Sequence, residues 1–187
     1  MPKQKELLEY QIINLNLINA KNISAQLKTI VKTIKNEPII LEGDLTAKLL
    51  GQLFFVVAKF AEEVVWRENP KKTAGLVLSR LDDSEIIRPI KVEIFDEWAE
   101  TQEKVFFALR KKDTTSEIMI DLDFFWQEAT AHRGNEVMNF AQFIYSINPL
   151  KSKVVFSGEI PPLPALIAFN WFRPYCKNIF FEKTKIN

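Results

Sequence analysis

The sequence predicts an α+β fold: an antiparallel meander of about four strands packed with several helices in a single pair of layers, with room for additional short strands. Two observations predict it. Four strand-like runs, Ala74–Leu81, Ile90–Phe95, Lys104–Leu109 and Ile118–Leu122, follow one another at even spacing, and Asp82-Asp83-Ser84 and Asp96–Gln102 supply polar turns between the first three. Helical patterns precede and follow that block.

Taken in chain order, Ile12, Ile13, Leu15, Leu17 and Ile18 partly alternate with asparagines, which reads as a strand. Ser24 is placed to cap a helix running to about Lys35, with Leu27, Ile30, Val31 and Ile34 on one face. Ile39-Ile40-Leu41 is a short buried strand, and Gly43-Asp44 turns the chain. Asp44 or Thr46 then caps a long helix to about Val65, apolar around most of its circumference, although Phe54-Phe55-Val56-Val57 also suits a strand. After the four-strand block come helices over Phe124–Ala131 and Glu136–Ile147, and a strand at Val154–Phe156. A helix opened by Pro161, Pro162 and Pro164 runs to about Phe172, and Ile179–Phe181 is a final strand. No internal repeat, low-complexity linker or composition break divides the chain, so residues 1–187 read as one globular domain.

Composition narrows the function. Apolar residues make up 47% and charged residues 26%, ordinary globular usage. Five glycines argue against glycine-rich phosphate loops, while fifteen phenylalanines suggest a large core with aromatic surface left for a partner to cover. The formal charge of +1 lacks the basic excess of a free nucleic-acid binder, but allows a subunit that meets RNA inside a particle. One cysteine, Cys176, permits no internal disulfide and fits a reducing, cytoplasmic setting. The start at Met1-Pro2-Lys3 lacks the apolar core of a signal peptide. Four charges within Leu45–Trp66 speak against a membrane span.

Few residues carry a chemical hint, and each has an ordinary structural explanation. Asp121 and Asp123 would share a face of a strand and could hold a divalent cation for a nuclease; otherwise they end the strand, with Asp123 capping the next helix. His132, the single histidine, could act as a base beside Glu128, but reads better as a loop residue. Cys176 sits between basic residues that would lower a thiol pKa, yet lacks an evident partner and reads as a small buried hydrophobe. Basic clusters at Arg67 with Lys71-Lys72, at Arg110-Lys111-Lys112, and at Lys177 with Lys183 and Lys185 are candidate RNA contacts or plain solvated loops. Trp66, Phe106, Phe107 and Tyr175 are placed to stack on bases or to fill the core. No catalytic residue, metal site or cofactor is predicted.

Two segments resemble known proteins. Arg88-Pro89-Ile90-Lys91-Val92-Glu93-Ile94-Phe95-Asp96-Glu97, followed by Lys104–Arg110, resembles a hairpin of small accessory proteins encoded beside type III CRISPR effector genes. That resemblance covers about a quarter of the chain. It implies a non-catalytic subunit of an RNA-guided effector ribonucleoprotein, serving antiviral defence, with other subunits and guide RNA as partners and no membrane. Val154–Pro161, then Leu166–Phe169, then Ile179–Phe181, is similar to a small CRISPR-associated family that binds cyclic oligoadenylate. It implies a ligand site at Ser157 and Gly158, where a turn before a helix offers N–H groups to phosphate. Phe169-Asn170 stands where that family would have Ala-His, and no Asp-Pro follows the last strand, so its ring-nuclease chemistry is not implied. The expected order is accessory subunit, then cyclic-oligoadenylate sensor, then metal-dependent nuclease.

Overall fold

Most of the described strands run parallel, which overturns the expected meander. The computed structural model describes residues 10–34, 38–61, 63–71, 76–79, 117–147, 153–173 and 180–181. The expected strands at Ile90–Phe95 and Lys104–Leu109 lie outside these residues, as do Cys176 and the hairpin segment of the first resemblance. The chain divides into two units, Met1–Asp82 and Asp83–Asn187, each with its own sheet.

In the first unit β1 (Gln11–Asn14), β2 (Ile39–Glu42), β3 (Glu63–Arg67) and β4 (Leu76–Ser79) lie in the order β1-β2-β3-β4. The first three are mutually parallel, and β4 runs antiparallel to β3. Parallel neighbours cannot be joined by a tight turn, so each connection is a crossover through a helix. These are α1 (Ile23–Thr33) and α2 (Ala47–Val57). Ile39, Ile40 and Leu41 are all buried, as expected of a strand covered on both faces.

The boundaries correct two expectations. α1 opens at Ile23 with Asn22 in the cap position, so Ser24 lies inside the helix. α2 stops at Val57 instead of reaching Val65: Lys59 and Phe60 donate backbone bonds to Val56 and Val57, tightening the last turn, and Val64-Val65-Trp66 join the sheet. The helix is deeply buried, with Ala47, Leu50, Gly51, Leu53, Phe54, Phe55 and Val57 all in the core.

The second unit runs β5 (Glu117–Asp121), α3 (Leu122–Ala131), α4 (Glu136–Ser146), β6 (Lys153–Ser157), α5 (Pro162–Phe172) and β7 (Phe180–Phe181). Its strands lie in the order β5-β6-β7 and both pairs are parallel. The fourth strand of the supposed meander is therefore the first of a β-α-α-β-α-β unit. Asn135 caps α4 by accepting bonds from the N–H groups of Val137 and Met138. Buried Asn139 fastens the loop between α3 and α4, its Nδ2 donating to the carbonyls of Ala129 at 3.1 Å and Arg133 at 3.3 Å. Phe140, Phe143, Phe156, Phe169 and Phe172 are fully buried, so many of the phenylalanines serve the core.

Tyr145 on α4 packs at a tilt against Trp171 on α5 with ring centroids 4.8 Å apart, and Trp171 Nε1 donates to the Ile147 carbonyl at 3.1 Å. Burial pushes the Tyr145 phenol above its ordinary value near 10. Below about pH 10 both folded and unfolded chains hold this proton, and stability does not vary with it. Above that the unfolded chain releases the proton first, so stability falls as pH rises through the raised folded value. Thermal midpoints measured from pH 8 to 11.5 should show an alkaline decline that Tyr145→Phe reduces; an unchanged decline would assign it to other groups.

Candidate functional site

In open sheets with parallel strands, ligands settle outside the carboxyl ends of the strands. The polar residues at those ends are Asn14, Glu42 and Arg67 in the first unit, and Asp121 and Ser157 in the second.

In the first unit, Glu42 and Arg67 are paired in register on β2 and β3 and form a largely buried ion pair, with Arg67 Nε donating to Glu42 Oε2 at 2.7 Å. Arg67, a predicted RNA contact, is thereby engaged within the sheet. Lys71 of the same cluster is exposed on the following turn; Lys72 lies outside the described residues, as do Arg110, Lys111 and Lys112. Trp66 Nε1 donates to the Gly43 carbonyl at 3.0 Å, which holds the indole in the fold. Asn16 Oδ1 accepts the backbone N–H of Asp44 at 3.3 Å, and Asp44 in turn accepts the N–H of Leu45.

In the second unit the two aspartates do not share a strand face, because the strand ends at Asp121 and α3 begins at Leu122. Asp121, not Asp123, is the helix cap: its Oδ1 accepts the N–H of Phe124 at 3.1 Å. Asp123 reaches to the neighbouring loop and accepts the N–H of Glu159 at 2.9 Å. Among the described residues no group of three or more His, Cys, Asp or Glu side chains stands together where it could hold a metal ion.

Ser157 ends β6, and Gly158 follows it in the left-handed region with φ +91°. A phosphate arriving here meets two obstacles. The N–H of Glu159 already serves the Asp123 carboxylate, an anion that would repel it. The N-terminus of α5 is also poor in donors, because Pro161, Pro162 and Pro164 have no N–H. Tolerance of proline in a first turn made these residues a good helix start, and the same missing N–H groups make that start a poor anion site.

His132 packs its ring against Phe143, centroids 6.0 Å apart, at the end of α3. Sequence reasoning missed the link from Asn16 to Asp44 altogether. Its signal was a polar residue two positions beyond a strand end combined with a glycine after the next strand. No helix among the described residues is long and apolar enough to cross a membrane. No protein-family model matches this chain, and neither a curated protein nor a solved structure matches it.

Proposed function

We propose that this protein works by docking onto other macromolecules, as a non-catalytic subunit of a type III CRISPR RNA-guided effector ribonucleoprotein. One observation carries the docking part: Ile12 and Leu17, on β1, the outermost described strand of its sheet, and on the turn after it, are 52% and 70% exposed. Large apolar side chains left in water are what a partner covers. The carboxyl-end polar groups support the non-catalytic part, since Asp121, Asp123, Glu42 and Arg67 are all engaged in internal bonds. The choice of assembly rests on the resemblance of Arg88–Glu97 and Lys104–Arg110 to the accessory proteins, and of the candidate RNA contacts among the described residues Lys71 is the exposed one.

Co-expression with type III effector subunits and guide RNA tests this reading. The chain should co-elute with the particle on gel filtration. Leu17→Asp and Ile12→Asp should weaken that association by about tenfold or more while leaving circular dichroism unchanged. A wild-type chain that elutes alone, without RNA, removes the proposal.

A further inference from the structure

We infer that the chain is a tandem duplication of one β-α-β-α-β unit, and that both copies close the carboxyl end of the sheet with the same side-chain clasp. The inference is independent of the proposed function.

Similar topology alone would not carry it, because right-handed β-α-β units all look alike at that level. The correspondence goes further. At one constant spacing, β2 and α2 match β6 and α5: Ile39–Glu42 falls on Val154–Ser157, Gly43 on Gly158, and Ala47–Val57 on Pro162–Phe172. The same spacing places Val65-Trp66 of β3 on Phe180-Phe181 of β7. The strand registers then agree: Ile40 pairs with Val65 and Leu41 with Trp66, while Val155 pairs with Phe180 and Phe156 with Phe181.

The helix ends agree as well. The residue before α2 is Thr46 at φ −58°, ψ 145°, and the residue before α5 is Pro161 at φ −56°, ψ 156°; neither caps with its side chain. At the other ends, Ala58 bonds back to Phe54 and Arg173 bonds back to Phe169, again equivalent pairs.

The first strands match over Ile13-Asn14-Leu15-Asn16 and Ile120-Asp121-Leu122-Asp123. Asn14 faces Glu42 in register as Asp121 faces Ser157. Asn14 has φ −81°, ψ 108° and Asp121 has φ −82°, ψ 97°, and each uses its side chain to cap the next turn. Their spacing to the second strand differs because one crossover holds α1 and the other holds both α3 and α4.

The clasp is the most specific shared feature. Asn16 Oδ1 accepts the N–H of Asp44, and Asp123 Oδ1 accepts the N–H of Glu159. The preceding glycine has positive φ in both copies, +111° at Gly43 and +91° at Gly158. A Cβ at either glycine would stand 2.7 Å from the clasping side chain. One copy uses a carboxamide and the other a carboxylate, but the same oxygen position takes the same backbone donor. Asn16 and Asp123 are thus equivalent positioning residues.

Amide hydrogen exchange on the full chain reads the clasp directly. The exposed Asp44 and Glu159 amides should both be slowed in the wild type. Asn16→Ala should speed Asp44, and Asp123→Ala should speed Glu159, each about fivefold or more, with the other amide unchanged. Asn16→Asp and Asp123→Asn should keep the protection. A response at only one of the two amides, or loss of protection in both exchange variants, overturns the equivalence. An experimental structure of the wild-type chain decides the duplication even if a variant fails to fold. Superposition of β2-α2-β3 on β6-α5-β7 with this residue pairing supports it, and a different pairing refutes it.

Discussion

Gly158→Ala is expected to destabilise the protein by about 3 kcal/mol, the sum of left-handed strain of roughly 1–2 kcal/mol and overpacking of roughly 1–3 kcal/mol. The added Cβ would stand 2.7 Å from the Asp123 carboxylate and 2.8 Å from the Asp123 backbone nitrogen. The carboxylate can rotate away only by giving up the Glu159 N–H, and the backbone nitrogen sits in the first turn of α3 and cannot rotate at all. Gly43→Ala should cost less, because the nearest atoms there all belong to the Asn16 side chain. Thermal unfolding followed by circular dichroism checks both. For a chain this long, about 3 kcal/mol corresponds to a midpoint roughly 6–12 °C lower. A Gly158→Ala protein that melts with the wild type would show that the loop yields freely and that the close approach of Asp123 is not enforced.

The second large effect is expected at Phe156. This residue on β6 is fully buried, and its ring meets Phe169 at 5.3 Å, Phe172 at 5.6 Å and Phe181 at 5.8 Å. It is therefore the point where β6, α5 and β7 come together. Truncation to alanine removes the shared member of three edge or tilted aromatic pairs and leaves a cavity walled by rings that cannot easily collapse. The expected loss is about 3–5 kcal/mol, a large share of the roughly 5–15 kcal/mol that holds an average domain together. Phe156→Leu should recover much of it. Urea titration gives the measurement; a loss under about 1 kcal/mol for the alanine variant would mean that the cluster repacks around the gap.

How these elements could be read from the chain varied with the kind of signal they carry. Helices α3, α4 and α5 announce themselves through local features, such as Asn135 before an amphipathic run and prolines at a helix start, and their limits agree closely with expectation. Strand direction has no such local mark. Glu117–Asp121 would look the same paired with either neighbour in either direction, and the even spacing of four runs favoured hairpins between them. The useful clue lay after β5, where two helices come before the next strand, because so long a connection suits a parallel crossover. The overlong reading of α2 has a related cause: from Ala47 to Val65 the apolar pattern hardly pauses, and only the paired valines and Trp66 hint that the last part belongs to a sheet. At the candidate site, the Asp121 and Asp123 pairing assumed a strand that continued past Asp121. One change of element at Leu122 sent the two carboxylates to different backbone donors. The repeat escaped notice because few identical residues, among them Gly43 with Gly158 and Phe54 with Phe169, survive between the copies, and the first crossover differs in length.

The parallel sheets also bear on how the chain acquires its structure. Gln11 meets Ile39 and Glu117 meets Lys153 only after a long intervening segment has been gathered in, so loop-closure entropy must be met before any ladder bond forms. Among the described strands only β3 and β4 are antiparallel neighbours that follow directly in sequence. Every described ladder of the first sheet, however, lies between Gln11 and Ser79. During synthesis those ladders can close before β5 has been made, so the slow search for the described parallel partners is divided into two shorter ones.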